Sequence, residues 1–180
     1  ATRAQDAVQA LDDMLSPLGS QPPIERFERY WAEVRDEHKE LVEASENAAL
    51  SSSPGSGADG LHALRESCIR DNLEQMVTIL RDEEADALVE RKAERKRAEG
   101  AAKGRRRTSN GAIQPCLEYL LEHEVVDMLC SMGLADKPPG MMSLVLKVVT
   151  LLLHHIKHPL LPHVTVHRAI NHIIETCMAA

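Results

Sequence analysis

The sequence has 180 residues, of which 43% are hydrophobic and 27% charged, and it carries a formal net charge of −7. This composition excludes a chain that is disordered throughout. With only 2% aromatic residues, the core has to be built from aliphatic side chains and Met, which favours helices over strands. The most apolar stretch, 141–153, is interrupted by Ser143, Lys147 and Thr150 and is shorter than the roughly 20 apolar residues of a membrane span.

Residues 1–50 predict two N-terminal helices. The first is a short amphipathic helix from Ala7 to Leu15, which ends at "SPLG". The second has Ser20 as its cap and Pro22 and Pro23 in its first turn. Its apolar positions recur at steps of three and four residues and include three of the four aromatic residues, a pattern typical of a core-facing helix and not of a ligand cage: Ile24, Phe27, Tyr30, Trp31, Val34, His38 and Leu41.

Residues 51–60, "SSSPGSGADG", have the composition of a flexible linker, and they lack the lysine that a phosphate-binding loop requires. Residues 61–90 predict a helix that leads into an acidic segment. Asp71 and Glu74 have the spacing of a capping box, which places the start of this helix near Asp71. Its predicted apolar face consists of Leu73, Met76, Val77 and Leu80.

Residues 91–112 form a basic insert. Nine basic and two acidic residues between Arg91 and Arg107 give this segment a charge of +7, so the rest of the chain sums to −14. Gly and Ala punctuate the segment and no aromatic residue is available to stack on a base, so we predict a solvated, disordered insert that either follows the preceding helix or continues it as far as Gly100. A nuclear-localisation signal, or a contact with nucleic acid or an anionic membrane, is the alternative, with Arg105, Arg106 and Arg107 as candidate contacts.

Residues 113–180 predict further helices. The stretch "PCLEYLLEHEVVDMLCSMG" reads as one helix, with Pro115 at its start and Gly133 as its C-cap. Its predicted apolar face is Leu117, Leu120, Leu121, Val125, Met128, Leu129 and Met132. "ADKPPG" predicts a turn.

The next helix, from Met141 to Ile156, is apolar nearly all round, which predicts a central position covered by neighbours on every side. Pro159 ends it. A last helix follows, with Val166, Ala169, Ile170, Ile173, Ile174 and Cys177 in register. Short turns between helices and no strand pattern predict an all-α fold, an armadillo- or HEAT-like α-solenoid fragment, with an irregular helical bundle as the alternative.

Six of the nine histidines lie between residues 154 and 175, a density that raises the question of a metal site. His154 and His158 are four residues apart, but His158 precedes Pro159, which pushes it out of helical geometry. There is no H-E-x-x-H motif and no complete ligand set. We therefore predict no metal, and assign His154, His155 and His158 to the end of a helix, where imidazoles can complement the dipole.

Catalytic motifs are also missing: there is no G-x-S-x-G elbow, no cysteine with a recognisable partner motif and no paired carboxylates in an apolar setting. The sequence predicts no catalytic residue and no cofactor. Four widely spaced cysteines without a C-x-x-C pair favour reduced thiols in the cytosol. The chain opens on Ala1 and ends on Ala180 while a helical pattern still runs, so we expect an N-terminal fragment of a longer protein.

Three strings in this sequence carry a family resemblance: "LEQMVTILRDEE", "PCLEYLLEHEVVDMLCSMGLADKPPGM" and "HPLLPHVTVHRAINHII". They are similar to the "LEQML", "PCxEYLLxH", "LGKADxPPGM" and "QPLLPHxxVHRPV" strings of the Hook-interacting protein family of the FHF complex (FTS, Hook and FHIP), also called retinoic-acid-induced-16-like proteins. The earlier "PPIERFERYW" resembles that family's aromatic helix more weakly. The basic insert is longer than is usual there, Leu134 stands where a Gly is common, and Ala169 stands where a Pro is common.

The resemblance implies a non-enzymatic α-solenoid adaptor that joins Hook and FTS proteins and links dynein–dynactin to vesicles marked by a Rab GTPase, in endosomal or secretory trafficking. It implies a cytoplasmic location, peripheral to endosome or Golgi vesicles, with an indirect membrane association. It also implies that the His-Pro-His stretch is a shaped loop between helices. His163, His167 and Arg168 are candidate partner contacts.

Overall fold

The computed structural model of the chain describes residues 21–50, 62–100 and 114–179. The predicted helix Ala7–Leu15, the cap at Ser20 and the linker 51–60 lie outside these ranges. All regular elements within the described ranges are helices, which confirms the all-α class. They are α1 (Pro23–Leu50), α2 (Ile69–Gly100), α3 (Pro115–Glu122), α4 (Val125–Ala135), α5 (Met141–His155) and α6 (Val164–Ala179), with a short helical turn at 62–66 before α2.

Helix α1 presents its aromatic stripe to the core, as predicted. Phe27, Trp31 and Val34 are fully buried, and Tyr30 is half-buried against them. The Phe27 ring meets the Tyr119 ring of α3 edge to face, with centroids 5.9 Å apart. This geometry is the preferred one for aromatic pairs, so the stripe joins α1 to α3 as well as to α2.

Helix α2 begins at Ile69, ahead of Asp71, so the predicted capping box is wrong. Asp71 lies inside the first turn, and Glu74 binds Lys147 and Arg70 instead. The start of α2 is capped by another helix: both carboxylate oxygens of Glu37 accept the backbone N–H of Cys68, at 3.1 and 3.2 Å. The predicted apolar face of α2 is buried as expected: Leu73, Met76, Val77 and Leu80.

The basic segment starts within α2, because the helix continues through residues 91–100 and ends at Gly100. For residues 91–100, the structure therefore agrees with the prediction that the insert continues the preceding helix as far as Gly100. Residues 101–113 lie outside the described ranges.

The stretch predicted as one helix from Pro115 forms two, and this prediction was wrong. Helix α3 ends at Glu122, and α4 starts at Val125 after a break at His123 and Glu124. Glu124 adopts a left-handed conformation with φ +49°, which turns the chain between the two helices. The break lets Leu117 and Leu120 of α3 and Val125 and Leu129 of α4 all reach the same core.

The start of α3 is capped from α2. The carboxylate of Glu83 accepts the N–H groups of Cys116 and Leu117, each at 3.0 Å. Next to it, the buried Gln114 side chain donates to the buried carboxylate of Glu84 at 2.8 Å. Two neighbouring acidic residues of α2 therefore fix where α3 begins.

Gly133 lies inside α4 and is not its C-cap, which is another correction. The cap is Asp136, with φ +42°. Gly133 is buried against α5, and a Cβ on it would lie 3.1 Å from the Cβ of Val145. The glycine therefore allows α4 and α5 to approach closely.

The "ADKPPG" turn forms as predicted. It contains a cis peptide bond between Lys137 and Pro138 and a left-handed Gly140, with φ +94°. The Asp136 carboxylate accepts the N–H groups of Gly140 at 3.1 Å and Met142 at 2.9 Å, and so caps the start of α5.

Helix α5 has a buried face and an open face, so the expectation that neighbours cover every side was wrong. Met141, Val145 and Leu152 are buried, whereas Leu146 and Leu153 are 38% and 40% exposed. In α6, Val166, Ala169 and Ile173 are buried and Ile170 is half-buried, as predicted. Ile174 and Cys177, which were expected on the same face, are exposed.

The helices pack both with their sequence neighbours and with helices two or three positions away along the chain. The most extensive contacts join α1 to α2, α4 to α5, and α4 to α6, and α5 also packs on α2. One continuous core connects them. This order is compatible with a solenoid and with an irregular bundle, so the solenoid stays a prediction.

Candidate functional site

The loop between α5 and α6 is shaped by two apolar anchors. Ile156 and Leu160 are buried, and Ile156 adopts an extended conformation as the C-cap of α5. At the other end, the N–H of His163 donates to the carbonyl of Leu160 at 3.0 Å, and the carbonyl of His163 accepts from the N–H of His167 at 2.9 Å. Because these two bonds order the end of the loop, α6 has a defined starting point.

The histidines of this region do not converge. His154 and His155 lie in the last turn of α5, as predicted. The Lys157 ammonium group donates to the His154 carbonyl at 3.5 Å. The rings of His158 and His163 lie 5.8 Å apart, centroid to centroid. Among the residues that the structure describes, no group of three or more His, Cys, Asp or Glu side chains has a geometry that could hold a metal ion.

His167 and Arg168, two of the three candidate partner contacts, line one open cleft of about 470 Å³ between α4 and α6. Arg168 pairs with Asp127 of α4 at 3.4 Å, and the His167 ring forms a 3.1 Å hydrogen bond with Asn171. His163 does not line this cleft and stays with His158 in the loop. The complete lining is Asp127, His167, Arg168, Ala169, Asn171, His172 and Glu175.

The cleft carries charges of both signs and is accessible to a partner. The Arg168 side chain is 65% exposed and that of Asp127 is 28% exposed, so their ion pair is partly solvated and contributes little to stability. Asp127 lies in the first turn of α4, where the helix dipole favours a carboxylate. A carboxylate from another protein could therefore replace Asp127 as the partner of Arg168 at low cost.

Exposed apolar residues of α6 accompany this polar cleft. Val164 is 78% exposed and Met178 is 83% exposed. Helical spacing places both on the same side of α6 as Asn171 and Glu175. We call this side, Val164, His167, Arg168, Asn171 and Met178, the α6 surface. Its mixture of exposed aliphatic groups with an Arg is typical of protein-binding surfaces.

Sequence reasoning missed Asp127, because its partner Arg168 lies 41 residues away along the chain. No local pattern predicts that α4 and α6 meet at these two residues. The other predicted contacts, Arg105, Arg106 and Arg107, lie outside the described residues.

The four cysteines are free thiols, two of them buried (Cys116 and Cys130) and two exposed (Cys68 and Cys177). Burial raises the pKa of Cys116 to about 12 and that of Cys130 to about 11. Cys68 is exposed, yet its thiol lies 2.6 Å from the Glu37 carboxylate, which raises its pKa to about 11. These three thiols are therefore protonated near neutral pH and are weak nucleophiles.

Within the described ranges, each helix is too short or too polar to cross a membrane. Helices that stack through a shared core and leave an open surface of mixed polarity on α6 define the described part of the chain as an all-α protein.

Residues 116–180, which include nearly all of α3 and the whole of α4 to α6 up to Ala179, match the family model of the retinoic acid induced 16-like proteins. Over these residues, the match confirms the resemblance read from the sequence. The family is not a known enzyme family. No solved structure matches the chain.

Proposed function

We propose that this chain is part of a non-enzymatic adaptor that assembles with Hook and FTS proteins and connects dynein–dynactin to vesicles marked by a Rab GTPase. The observation that carries the proposal is the family match of residues 116–180, which coincides with the helices that build the α6 surface. It takes no cofactor and no small-molecule substrate. Its location is cytoplasmic and peripheral to endosome or Golgi vesicles, with the Rab GTPase as the link to the membrane.

In this proposal, the α6 surface contributes one anchor to a larger interface. Arg168 supplies a planar, multiply donating group that matches a partner carboxylate, and Val164 and Met178 supply exposed apolar area. Such anchors dominate the binding energy of protein interfaces, whereas the surrounding residues mainly exclude water.

A binding assay with a purified FTS–Hook complex tests both the adaptor role and the contribution of the α6 surface to the interface. The chain is compared with the variant His167→Ala/Arg168→Ala. A matched control, His62→Ala/Arg65→Ala, removes the same two residue types from an exposed helical turn elsewhere. We expect the α6 variant to bind about tenfold more weakly than the control, since hot-spot truncations cost at least ~1–2 kcal/mol.

The two possible failures of this assay are distinguishable. If the unmodified chain does not bind FTS–Hook at all, the proposed adaptor role of this segment is overturned. If the chain binds but both variants bind equally well, the adaptor role stands and the α6 surface is not part of the interface.

A further inference from the structure

Helix α2 extends well beyond the core that it helps to build. Its last buried residue among the described side chains is Ala87, and Val89, Glu90, Arg91 and Lys92 are exposed. The helix nevertheless continues to Gly100, which is about 20 Å further along its axis. Among the described side chains from Leu88 to Lys96, none is buried in the core.

Four basic residues form a ridge on the projecting part. Arg91 and Arg95 are one helical turn apart, as are Lys92 and Lys96, and all four side chains are exposed. At 100° per residue, the four positions fall within one side of the helix. We call them the basic ridge.

Within the basic ridge, Lys92 and Lys96 are like charges at i and i+4, a spacing at which the two ammonium groups repel each other. The helix dipole compensates cations only within the last turn, and these residues lie before it. Arg91 reaches back towards the buried carboxylate of Glu84, at 3.9 Å, which fixes the start of the ridge to the folded body. An anion bound beside Lys92 and Lys96 would relieve this repulsion.

We propose that the basic ridge binds an acidic segment of a partner protein, a function beyond that of the α6 surface and independent of it. The support is charge complementarity: a carboxylate-rich peptide can lie along this side of the helix from Arg91 to Lys96 and place its carboxylates beside the basic side chains.

Two other polyanions fit the ridge less well. A bilayer is a broad plane that would also meet the rest of the chain, which carries −14, and Val89 is the one large apolar residue strongly exposed on the described part of α2. Single-stranded nucleic acid is usually held by aromatic side chains that stack on its bases, and α2 contains none. A narrow acidic peptide needs only the ridge.

Fluorescence anisotropy with the full chain tests the proposal. The probe is a labelled peptide of alternating Glu and Ala, and the same peptide with Gln in place of Glu serves as its neutral counterpart. The ridge variant is Arg91→Gln/Lys92→Gln/Arg95→Gln/Lys96→Gln. The control variant, Lys39→Gln/Arg65→Gln/Arg81→Gln/Lys157→Gln, loses the same charge from exposed positions outside the ridge. Phosphatidylserine vesicles and a single-stranded RNA are titrated in parallel.

We expect the Glu peptide to bind the chain and the control variant alike, and the ridge variant at least about tenfold more weakly. The variant Lys92→Glu/Lys96→Glu, which keeps Arg91 beside Glu84, should also lose binding, and circular dichroism shows whether each variant keeps its helices. Equal loss in the ridge and control variants would overturn the proposal, as would binding of the Gln peptide with the same affinity. Tighter ridge-dependent binding of the vesicles or the RNA than of the Glu peptide would overturn it in favour of that polyanion.

Discussion

Glu83 of α2 and Cys116 of α3 are joined by a hydrogen bond of 3.0 Å from the Cys116 backbone N–H to the carboxylate, and the same carboxylate also accepts the N–H of Leu117. Pro115 lies at the first position of α3, where a missing N–H is tolerated. The next two N–H groups are therefore the first that need an acceptor, and Glu83 satisfies both. Because the carboxylate is negative, it also complements the positive end of the helix dipole.

The variant Glu83→Gln should lower the free energy of unfolding by about 1–2 kcal/mol, because its amide keeps one acceptor oxygen and turns a donor towards the second N–H. Chemical denaturation measures the change. The variant Glu90→Gln removes the same charge from an exposed position of α2 and serves as the control. Equal stability of the two variants would refute the capping role of Glu83.

Gly133→Ala should destabilise the protein. At an exposed helical position this substitution would stabilise by about 1 kcal/mol. Here the new Cβ lies 3.1–3.3 Å from the Cβ and both Cγ atoms of Val145, a fully buried residue. Overpacking of this kind costs about 1–3 kcal/mol, so we expect a net loss in thermal or chemical unfolding.

A double-mutant cycle tests the cause of that loss. In the background Val145→Ala, which by itself creates a cavity, Gly133→Ala should cost less or become stabilising. If the effect of Gly133→Ala is the same in both backgrounds, the close approach of α4 and α5 at this point is not what selects glycine.

Glu37→Gln should make Cys68 more reactive towards iodoacetamide. The neighbouring carboxylate raises the pKa of Cys68 to about 11, mainly through their hydrogen bond, so removing its charge increases the thiolate fraction at mildly alkaline pH. We expect at least about a tenfold faster alkylation of Cys68, measured by mass spectrometry of each cysteine. Cys177, exposed on α6, is the internal control. An unchanged ratio of the Cys68 rate to the Cys177 rate would contradict the prediction.

His38 should make stability depend on pH. Burial lowers its pKa below the usual 6.5, and a hydrogen bond to the Lys137 backbone partly opposes this shift. Its Nε2 is buried and has no hydrogen-bond partner among the residues that the structure describes. Because the folded pKa lies below the unfolded one, the unfolded chain binds more protons, and stability is lost as pH falls from about 6.5 towards the folded pKa.

The variant His38→Gln should therefore lose less stability than the parent chain between neutral and mildly acidic pH. Unfolding midpoints across this pH range measure the effect, and His62→Gln, at an exposed position, is the control. Parallel pH profiles for His38→Gln and the parent chain would show that His38 is not responsible.

The buried stripes were predictable where one helix carries a continuous pattern. Phe27, Trp31 and Val34 of α1, and Leu73, Met76 and Leu80 of α2, are core residues as the spacing of three and four residues predicts. The break at Glu124 was not predictable, because no Gly or Pro marks it and the apolar spacing runs through it without interruption. Tertiary packing decides the break, since only two separate helices bring both apolar sets to one core.

The start of α3 was predictable from Pro115 itself. The residues that cap the helices were predictable only where they are local. Asp136 caps α5 from within the preceding turn, but Glu37 and Glu83 cap α2 and α3 from 31 and 33 residues away. In the candidate site, too, some residues could be found from the sequence and others only from the tertiary structure. The sequence drew attention to His167 and Arg168, while their cleft also needs Asp127 from a different helix.

Glu37 and Glu83 each cap a helix other than their own, and this arrangement also determines how the molecule unfolds. When α1 detaches, the backbone N–H at the start of α2 loses its acceptor, the Glu37 carboxylate. When α2 unfolds, the first N–H groups of α3 lose the Glu83 carboxylate in the same way. Secondary structure and packing are thereby lost together, so far-ultraviolet ellipticity and tryptophan fluorescence of Trp31 should follow one shared, cooperative melting curve.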